Sequence, residues 1–491
     1  MTKDCPGTFL QAAPCPTPRG RRTTAPERPA STSGWCALIV GLAALALPPG
    51  TVAEDVLIFG EPDEPAAEPE DRPDADPSPW RYRLERAQLE GGQLTAGDRS
   101  ADYSHHGTAE AYMGRDLGSG WEVRLGARLD GHLQGGGERS GVSRLDADYG
   151  ENWLRYRAPD WRLTVGTQRV LWGRVDEIPP TDRLSTKDFT RFALDEMVDR
   201  RRTNPAVRLE LYQGDWDIDM LFLPVFREAE LPDRDSIWHP VDRERGRLFG
   251  LPEDPALVPV IQQARIDDDS SGDGGGGVRI SRSGAGVDYA FTVQRARQSQ
   301  PYYRVDDATR AALAAGSAPA QRATLHAEHP RSWVVGADLA TEVGAWTLRA
   351  EAAWLSDVPV TRAADLRYET VEGFDWVVGV EGFPGDRDFR TTLQLAGQHL
   401  HDAGGVLDAR EAYYLTGELE NPFLDHQWRG RLRFSAGLDR RDAYVNPELA
   451  WTGNEPHEVY VGLHWLDGRE DTAAGFYRDN RLLVLGWRGQ F

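Results

Sequence analysis

The strongest constraint on the fold is an alternation of apolar and polar residues, which recurs in segments of about 9–13 residues from Arg81 onward. In the clearest segment, one face carries Trp121, Val123, Leu125, Ala127 and Leu129, and the other carries Glu122, Arg124, Gly126, Arg128 and Asp130. The same split recurs in 346–352 and 428–436. A period of two places successive side chains on opposite faces, which predicts β-strands.

One apolar face per strand fits two architectures, a soluble sandwich and a membrane barrel. A sandwich packs two apolar faces on each other, but only 40% of the residues are hydrophobic and large aliphatic residues are not in excess. A closed barrel exposes its apolar face to lipid and lines its lumen with the polar face. The mean hydropathy of −0.55 excludes a protein of many membrane-spanning helices. The pattern therefore predicts an all-β, antiparallel transmembrane β-barrel.

Eighteen strands are predicted, an even number as in bacterial barrels. The predicted strands are 81–90, 103–115, 119–133, 143–157, 160–171, 203–213, 215–225, 278–284, 286–297, 332–342, 345–355, 372–382, 388–401, 411–420, 426–438, 443–452, 457–466 and 480–491. The count falls to sixteen if 103–115 and 443–452 are loops. Long connections (172–202, 226–277, 298–331, 356–371 and 467–479) all fall at one end, which we expect to be extracellular, and short turns fall at the periplasmic end.

Candidate two-residue turns predict strand register. These turns are Gln213-Gly214, Ser283-Gly284 and Val343-Gly344. Each turn places an inward arginine opposite an inward aspartate. The predicted pairs are Arg208 with Asp219, Arg279 with Asp288, and Arg349 with Asp338.

Inward charged residues are the candidates for lining the lumen. They are Arg124, Arg128, Arg208, Asp219, Arg279, Asp288, Asp338, Arg349, Arg429, Arg431 and Arg433. The last three arginines form either a ladder for anions or a wall of pairs neutralised by Glu418 and Glu420. A row of unpaired, desolvated charges is not expected, since each costs several kcal/mol.

Aromatic residues predict the membrane boundary. Five tryptophans begin ascending strands just after short turns and form a candidate girdle: Trp121, Trp161, Trp216, Trp346 and Trp428. The chain ends on an alternating strand with Trp487 and a final Phe491. This ending resembles the signal that outer-membrane barrels present to their assembly machinery. The expected partners are therefore outer-membrane lipid and that machinery, in a Gram-negative bacterium.

The N-terminal part of the chain is predicted to lie outside the barrel. Basic residues precede an apolar run at 35–47, which indicates a signal peptide over 1–53. All three cysteines precede the cleavage site, so disulfides are not expected. Residues 54–79 form an acidic, proline-rich segment that we expect to be a periplasmic tail able to bind a partner. The barrel is expected over 80–491.

The long connection 172–202 is the candidate constriction, because it mixes apolar residues with opposed charges. Its candidate residues are Trp172, Asp182, Asp188, Arg200, Arg201 and Arg202. Folded inward, they would narrow the lumen and select by charge and size. The alternative is an external loop packed on its neighbours.

Two stretches carry a family resemblance. Residues 162–173 (Arg-Leu-Thr-Val-Gly-Thr-Gln-Arg-Val-Leu-Trp-Gly), followed by 180–188 with Pro180-Thr181-Asp182, resemble a strand end and adjoining segment of uncharacterised porin-like proteobacterial barrels. That family is distantly similar to alginate-export barrels. This sequence has Pro-Thr-Asp where the family has an N-P-x-D type segment. The resemblance implies an outer-membrane barrel and leaves the transported substrate open.

The candidate residues for catalysis or metal binding lack the sequence motifs that these functions require. His399 with His401, and His326 with His329, lack a surrounding catalytic motif, and His105 and His106 are expected on opposite faces of a strand. The acidic run 267–273 lacks the ligand spacing of a calcium loop. Neither an enzyme nor a metal or cofactor is therefore expected. The net charge of −22 argues against a nucleic-acid partner.

The sequence predicts a porin-like channel in which polar or charged solutes diffuse through a constricted lumen. The alternative is a plugged barrel that acts as an export or scaffold component, with 172–202 and 226–277 filling the lumen.

Overall fold

A computed structural model describes residues 78–95, 100–175, 177–192, 194–268, 270, 272–284, 286–385 and 388–491. The predicted signal peptide, the three cysteines and all but the last two residues of the predicted tail lie outside the described residues. Within the described ranges, no helix is both long enough and apolar enough to cross a bilayer.

The main sheet is a closed antiparallel barrel of eighteen strands, as the alternation predicts. In chain order, β1 to β18 are Arg81–Leu94, Tyr103–Gly118, Trp121–Gly135, Val142–Tyr149 continued by Asn152–Arg157, Trp161–Gln168, Asn204–Gln213, Trp216–Leu223, Gly275–Arg282, Val287–Arg297, Arg331–Val343, Trp346–Thr361, Tyr368–Gly382, Arg390–Leu400, Glu411–Phe423, Trp428–Gly437, Asp442–Asn454, His457–Gly468 and Leu482–Gln490. Each strand pairs with the next, and β18 pairs with β1 from Arg86↔Gln490 to Leu94↔Leu482. Closure leaves the sheet without free edges.

The structure decides between eighteen and sixteen strands. The segments 103–115 and 443–452 lie within β2 and β16 and pair with neighbours on both sides. The predicted long connection 356–371 is wrong, because β11 continues to Thr361 past an irregularity after Leu355 and pairs with β12 again from Val358↔Val371. The true connection there is 362–367.

Burial in the barrel is inverted relative to a soluble protein. On β3, the side of Leu125 and Leu129 is outward, each 40% exposed, while Arg128 and Asp130 face inward with 8% and 3% exposure. Outward positions elsewhere carry Phe222, Ile280, Phe291, Val378, Leu449 and Leu485, and inward positions carry Gln88, Glu110, Gln294, Glu351, Gln394 and Glu448. An apolar exterior around a polar interior is the arrangement of a barrel solvated by lipid.

The predicted registers are wrong by an even number of residues. Gly214 and Gly344 have φ of 61° and 65° and are the first, not the second, of two turn residues. A positive φ at this position is what the tight hairpin turns require. At the third hairpin, the connection between β8 and β9 spans 283–286. Even shifts keep each residue on its predicted face and change only its partner.

The two ends of the barrel differ in their connections. Short turns join strands at one end (the turn end), and longer connections join them at the other (the loop end). The five predicted girdle tryptophans are the first residues of β3, β5, β7, β11 and β15, all at the turn end. At the loop end, a small sheet of 265–267, 302–305 and 324–328 packs with α1 (Val258–Gln263) around Val260, Ile261, Ile266 and Leu325, and α2 (Asp307–Ala314) follows 302–305.

Candidate functional site

Residues 169–203, the inner loop, fold into the barrel. A short ladder of Thr186↔Arg202 and Lys187↔Arg201 closes the base of a hairpin within it. Apolar residues hold the segment that enters the barrel, because Trp172 and Leu184 pack in one buried cluster with Leu221, Leu223 and Ala296. These apolar residues, which are unusual for an exposed loop, therefore hold the connection inside the barrel.

The entering segment is bound to one side of the wall. The indole Nε1 of Trp172 donates to Asp219 on β7 at 2.7 Å. Arg174 donates through Nε to Asp338 on β10 at 2.6 Å. Glu351 on β11 accepts from both the backbone N and the Oγ1 of Thr181, each at 2.7 Å.

The tip of the inner loop is bound to the opposite side. Arg191 pairs with Glu90 on β1, Asp199 pairs with Arg86 on the same strand, and Glu196 pairs with Arg431 on β15. Arg433, also on β15, donates to the backbone oxygen of Leu194. Since these anchors lie on strands far apart around the barrel, the inner loop crosses the lumen.

A buried charge cluster joins the base of the loop to β3. Arg202 donates to Asp188 within the loop and to Asp130 on the wall, the latter at 2.8 Å. Arg128 donates to the same Asp130 at 2.9 Å. Arg201 donates to Asp182 at 3.0 Å. The side chains of these residues are all less than 10% exposed, so each charge depends on its partners.

Lys187 is the cation of this loop whose charge responds to pH near neutrality. Burial lowers its pKa to about 8. The carboxylate of Asp182 opposes this shift, whereas the guanidiniums of Arg183 and Arg201 add to it.

The structure places the predicted lumen residues on the inward face but pairs several of them differently. Arg208 reaches Asp219 at 2.8 Å, diagonally and not directly across the ladder. The predicted pair of Arg279 with Asp288 is wrong, because Arg279 bonds Asp338. The predicted pair of Arg349 with Asp338 is wrong as well, because Arg349 bonds Glu381 at 2.6 Å.

Among the other predicted lumen arginines, Arg124, Arg429 and Arg431 are engaged by carboxylates. Arg124 donates to Glu85 at 2.9 Å. Arg429 donates to Glu458 at 2.7 Å, and Arg431 reaches Glu448 at 3.1 Å besides Glu196. Arg433 donates to the hydroxyl of Tyr444 at 2.9 Å. Arg429 and Arg431 thus stand among carboxylates, and three of these, Glu458, Glu448 and Glu196, are not on the preceding strand.

Sequence reasoning missed the residues that fix the inner loop. Glu90, Asp130, Arg174, Arg191 and Glu351 were not candidates, although each carries a direct contact described above. The sequence signal that could have found them is strand alternation. A charged residue at an inward position of a strand with small or apolar neighbours, such as Glu351, requires a partner from inside the barrel.

A second segment, residues 232–241 (the mouth segment), lies across the loop end. Gln134 on β3 donates to the backbone oxygen of Asp235 at 3.2 Å. On the other side, Asn480 donates to the oxygen of Ile237 at 2.7 Å and Tyr477 to that of Trp238 at 3.0 Å. The mouth segment therefore spans from β3 to the connection before β18.

The histidines are arranged as the strand periodicity predicts. His105 lies outward against Tyr103, whereas His106 is buried with its ring 4.9 Å from that of His132. His399 and His401 share a face with ring centroids 4.7 Å apart. Within the described ranges, His, Cys, Asp and Glu side chains form no group of three or more that could hold a metal ion.

These features define the class of protein. An even-numbered, closed antiparallel barrel with an apolar exterior, a charged interior, tight turns at one end and long connections at the other is a β-barrel of the outer-membrane type.

Particular solved structures are similar in architecture. Acinetobacter baumannii OccAB1 gives a TM-score of 0.47 at 8% identity, covering 84% of this chain and 96% of that one. Pseudomonas aeruginosa OccK8 (OprE) gives 0.45 at 7%, covering 83% and 98%. Salmonella typhi OmpF, solved with daunomycin, gives 0.40 at 10%, covering 84% and 97%. No family model and no curated protein matches the sequence, so the predicted kinship with alginate-export barrels stays a prediction.

Proposed function

We propose that this protein is an outer-membrane channel through which polar or charged solutes diffuse, with the inner loop as its selective constriction. The observation that carries the proposal is that the inner loop lies inside the barrel and is bound to strands on opposite sides, from Glu90 to Glu351. Opposed guanidiniums and carboxylates at such a crossing produce a transverse field that selects by charge.

The second candidate is a plugged barrel that serves export or acts as a scaffold. The mouth segment favours it, because a second layer of chain covers the loop end above the inner loop. In this case the lumen conducts only after a segment moves, and the predicted tail 54–79 is the candidate for binding a periplasmic partner.

Single-channel recording on the refolded chain in a planar bilayer separates the two. The channel proposal expects discrete openings of the unmodified protein and a non-zero reversal potential in a KCl gradient. Replacing 188–200 with a short Gly-Ser linker keeps the ladder at 186–187 and 201–202 and should raise conductance. A matched replacement of 308–313 in α2, which is not part of the inner loop, should leave the conductance unchanged.

The same recordings can also contradict the channel proposal. A protein that is silent in its unmodified form, and conducts only after 188–200 is replaced, is a plugged barrel and not an open channel.

A further inference from the structure

Two buried histidines support the tip of the inner loop through arginines. His106 on β2 and His464 on β17 are 9% and 5% exposed, and both side chains point into the barrel. Only β18 and β1 lie between their strands. The two imidazoles therefore stand on the side of the barrel where the tip is bound.

The first support joins His106 to Arg191 in the tip. The Nη1 of Arg191 lies 3.3 Å from the Nδ1 of His106. Because a guanidinium has donors only, this hydrogen bond exists while Nδ1 keeps its lone pair, which means while the imidazole is neutral. A proton on Nδ1 replaces the acceptor by a second donor and sets two cations against each other.

The second support runs from His464 to the tip through Tyr444 on β16 and Arg433 on β15. Arg433 donates to the backbone oxygen of Leu194 and to the hydroxyl of Tyr444. That hydroxyl lies 2.8 Å from the Nδ1 of His464, to which it donates while the imidazole is neutral. A proton on His464 brings a second cation to the oxygen that already accepts from Arg433, and Arg431 adds a further positive charge nearby.

The carboxylates around the two histidines do not remove this conflict. Glu90, the partner of His106 across the β1–β2 ladder, already pairs with Arg191. A protonated His106 that pairs with Glu90 instead draws this carboxylate away from Arg191, so the tip loses a contact in either case. Asp195, the carboxylate toward His464, is likewise held by Arg191 at 2.5 Å.

The charges of β3 and of the loop base are fixed by pairs of their own. Asp130, near His106, accepts from Arg128 and Arg202. Arg202 also donates to Asp188. These carboxylates can therefore pair with a protonated imidazole only by weakening buried ion pairs.

A third imidazole and a small cavity lie beside His106. His132, its partner across the β2–β3 ladder, has its ring centroid 4.9 Å away. A cavity of about 20 Å³ touches both rings and is also lined by Arg144, Asp233 and Trp238. This volume is enough for one water molecule, which gives protons a route to the rings.

We propose that His106 and His464 form an acid-sensitive latch on the inner loop, which holds the tip while both imidazoles are neutral and releases it when they are protonated. Histidine ordinarily titrates at about pH 6.5, so the latch is closed above this pH and opens as the pH falls below it. The inference concerns the position of the tip and applies to an open channel and to a plugged barrel alike. Only a change in current depends on the proposed function.

The test is hydrogen exchange of the full refolded barrel between pH 7.5 and pH 4.5, expressed as protection factors of the amides in 189–200. Protection of the tip should fall at least tenfold, because the bonds that are lost involve charged groups. The variant H106N/H464N keeps an acceptor near each Nδ1 that does not titrate, so its protection factors at 189–200 should stay constant.

Two control variants remove other histidines. H399N/H401N changes the pair on β13 and should keep the full response at 189–200. H239Q changes the mouth segment and should keep it as well. The single variants H106N and H464N should each keep part of the response, so the proposal remains testable if the double variant fails to fold.

Three results would overturn the latch: constant protection of the tip in the unmodified protein, an equal fall in H106N/H464N, or loss of the response in H239Q, which would make the mouth segment the sensor. Single-channel recordings separate the latch from the proposed function. A protein that is silent at every pH, but whose tip still loses protection in acid, has the latch and is not an open channel.

Discussion

Arg202, at the base of the inner loop, donates a hydrogen bond of 2.8 Å to Asp130 on the wall of β3. Both side chains are 4% exposed. This contact connects the inner loop to the barrel wall. The position of the loop therefore depends on the Arg202 side chain.

Arg202→Ala should loosen the inner loop. Removing one partner of a buried ion pair costs about 3–5 kcal/mol, because Asp130 and Asp188 lose a shared cation. We expect larger current fluctuations in single-channel recordings and faster cleavage between 188 and 200 by an added protease. Arg282→Ala, on the outer surface, is the control, and identical behaviour of the two variants would show that Arg202 does not hold the loop.

Ion selectivity should change as Lys187 loses its proton. The pKa of about 8 means that this side chain is mostly charged at pH 7 and mostly neutral at pH 9. The lumen then loses one positive charge, so the permeability ratio of K⁺ to Cl⁻ should rise over this range. Reversal potentials measure it.

The matched variants for this prediction are Lys187→Arg and Lys187→Gln. The arginine variant should show no such change between pH 7 and 9, and the glutamine variant at pH 7 should behave as the unmodified protein does at pH 9. A pH response that persists in both variants would assign it to another group.

Arg431→Ala should increase the preference for cations. Its guanidinium stands between Glu196 and Glu448, and its loss leaves their negative charge in the lumen. Arg429→Ala should have a smaller effect, because the Arg429 side chain is 24% exposed against 9% for Arg431. The measurement is the reversal potential in a KCl gradient. A shift toward anions, or no shift at Arg431, would remove this residue from the conducting path.

The mouth segment should loosen in acid. Burial lowers the pKa of His239 to about 4, and its Nδ1 accepts a hydrogen bond from the backbone N of Val241 at 3.0 Å. A histidine with a depressed pKa stabilises the closed segment above pH 6.5, and this contribution is lost as the pH falls from 6.5 toward 4. The protection factors of the amides in 232–241, which correct hydrogen exchange for its intrinsic pH dependence, should fall over that range.

His239→Gln is the control for this prediction, since a neutral amide does not titrate. If the protection factors of the variant fall with acid as much as those of the unmodified protein, His239 is not the responsible group.

The sequence predicts the strands and their faces well, because period two is local and a lipid-facing strand tolerates no other pattern. Trp121 and Leu129 point outward as expected, and even the register errors leave every residue on its face. Register itself depends on which turn residue takes a positive φ, and a glycine such as Gly214 fits either place.

The partners of the inner loop could not be predicted in the same way. Arg279 bonds Asp338 and not Asp288, which is closer in sequence. Arg174 of the inner loop bonds the same Asp338, although the two residues are more than a hundred positions apart in the chain. Such pairs depend on how a connection folds in three dimensions, and alternation carries no information about it.

The contacts of Glu90 have a consequence for biogenesis. This side chain on the first strand accepts a hydrogen bond from the hydroxyl of Tyr460 on β17 at 2.8 Å, although β18 lies between the two strands. It also bonds Arg191 of the inner loop. A sheet in which β1 and β18 have not yet paired leaves this hydrogen-bond network incomplete. Closure of the barrel and docking of the inner loop are therefore coupled steps of folding, and an open sheet differs from the closed barrel in the bonds that Glu90 makes.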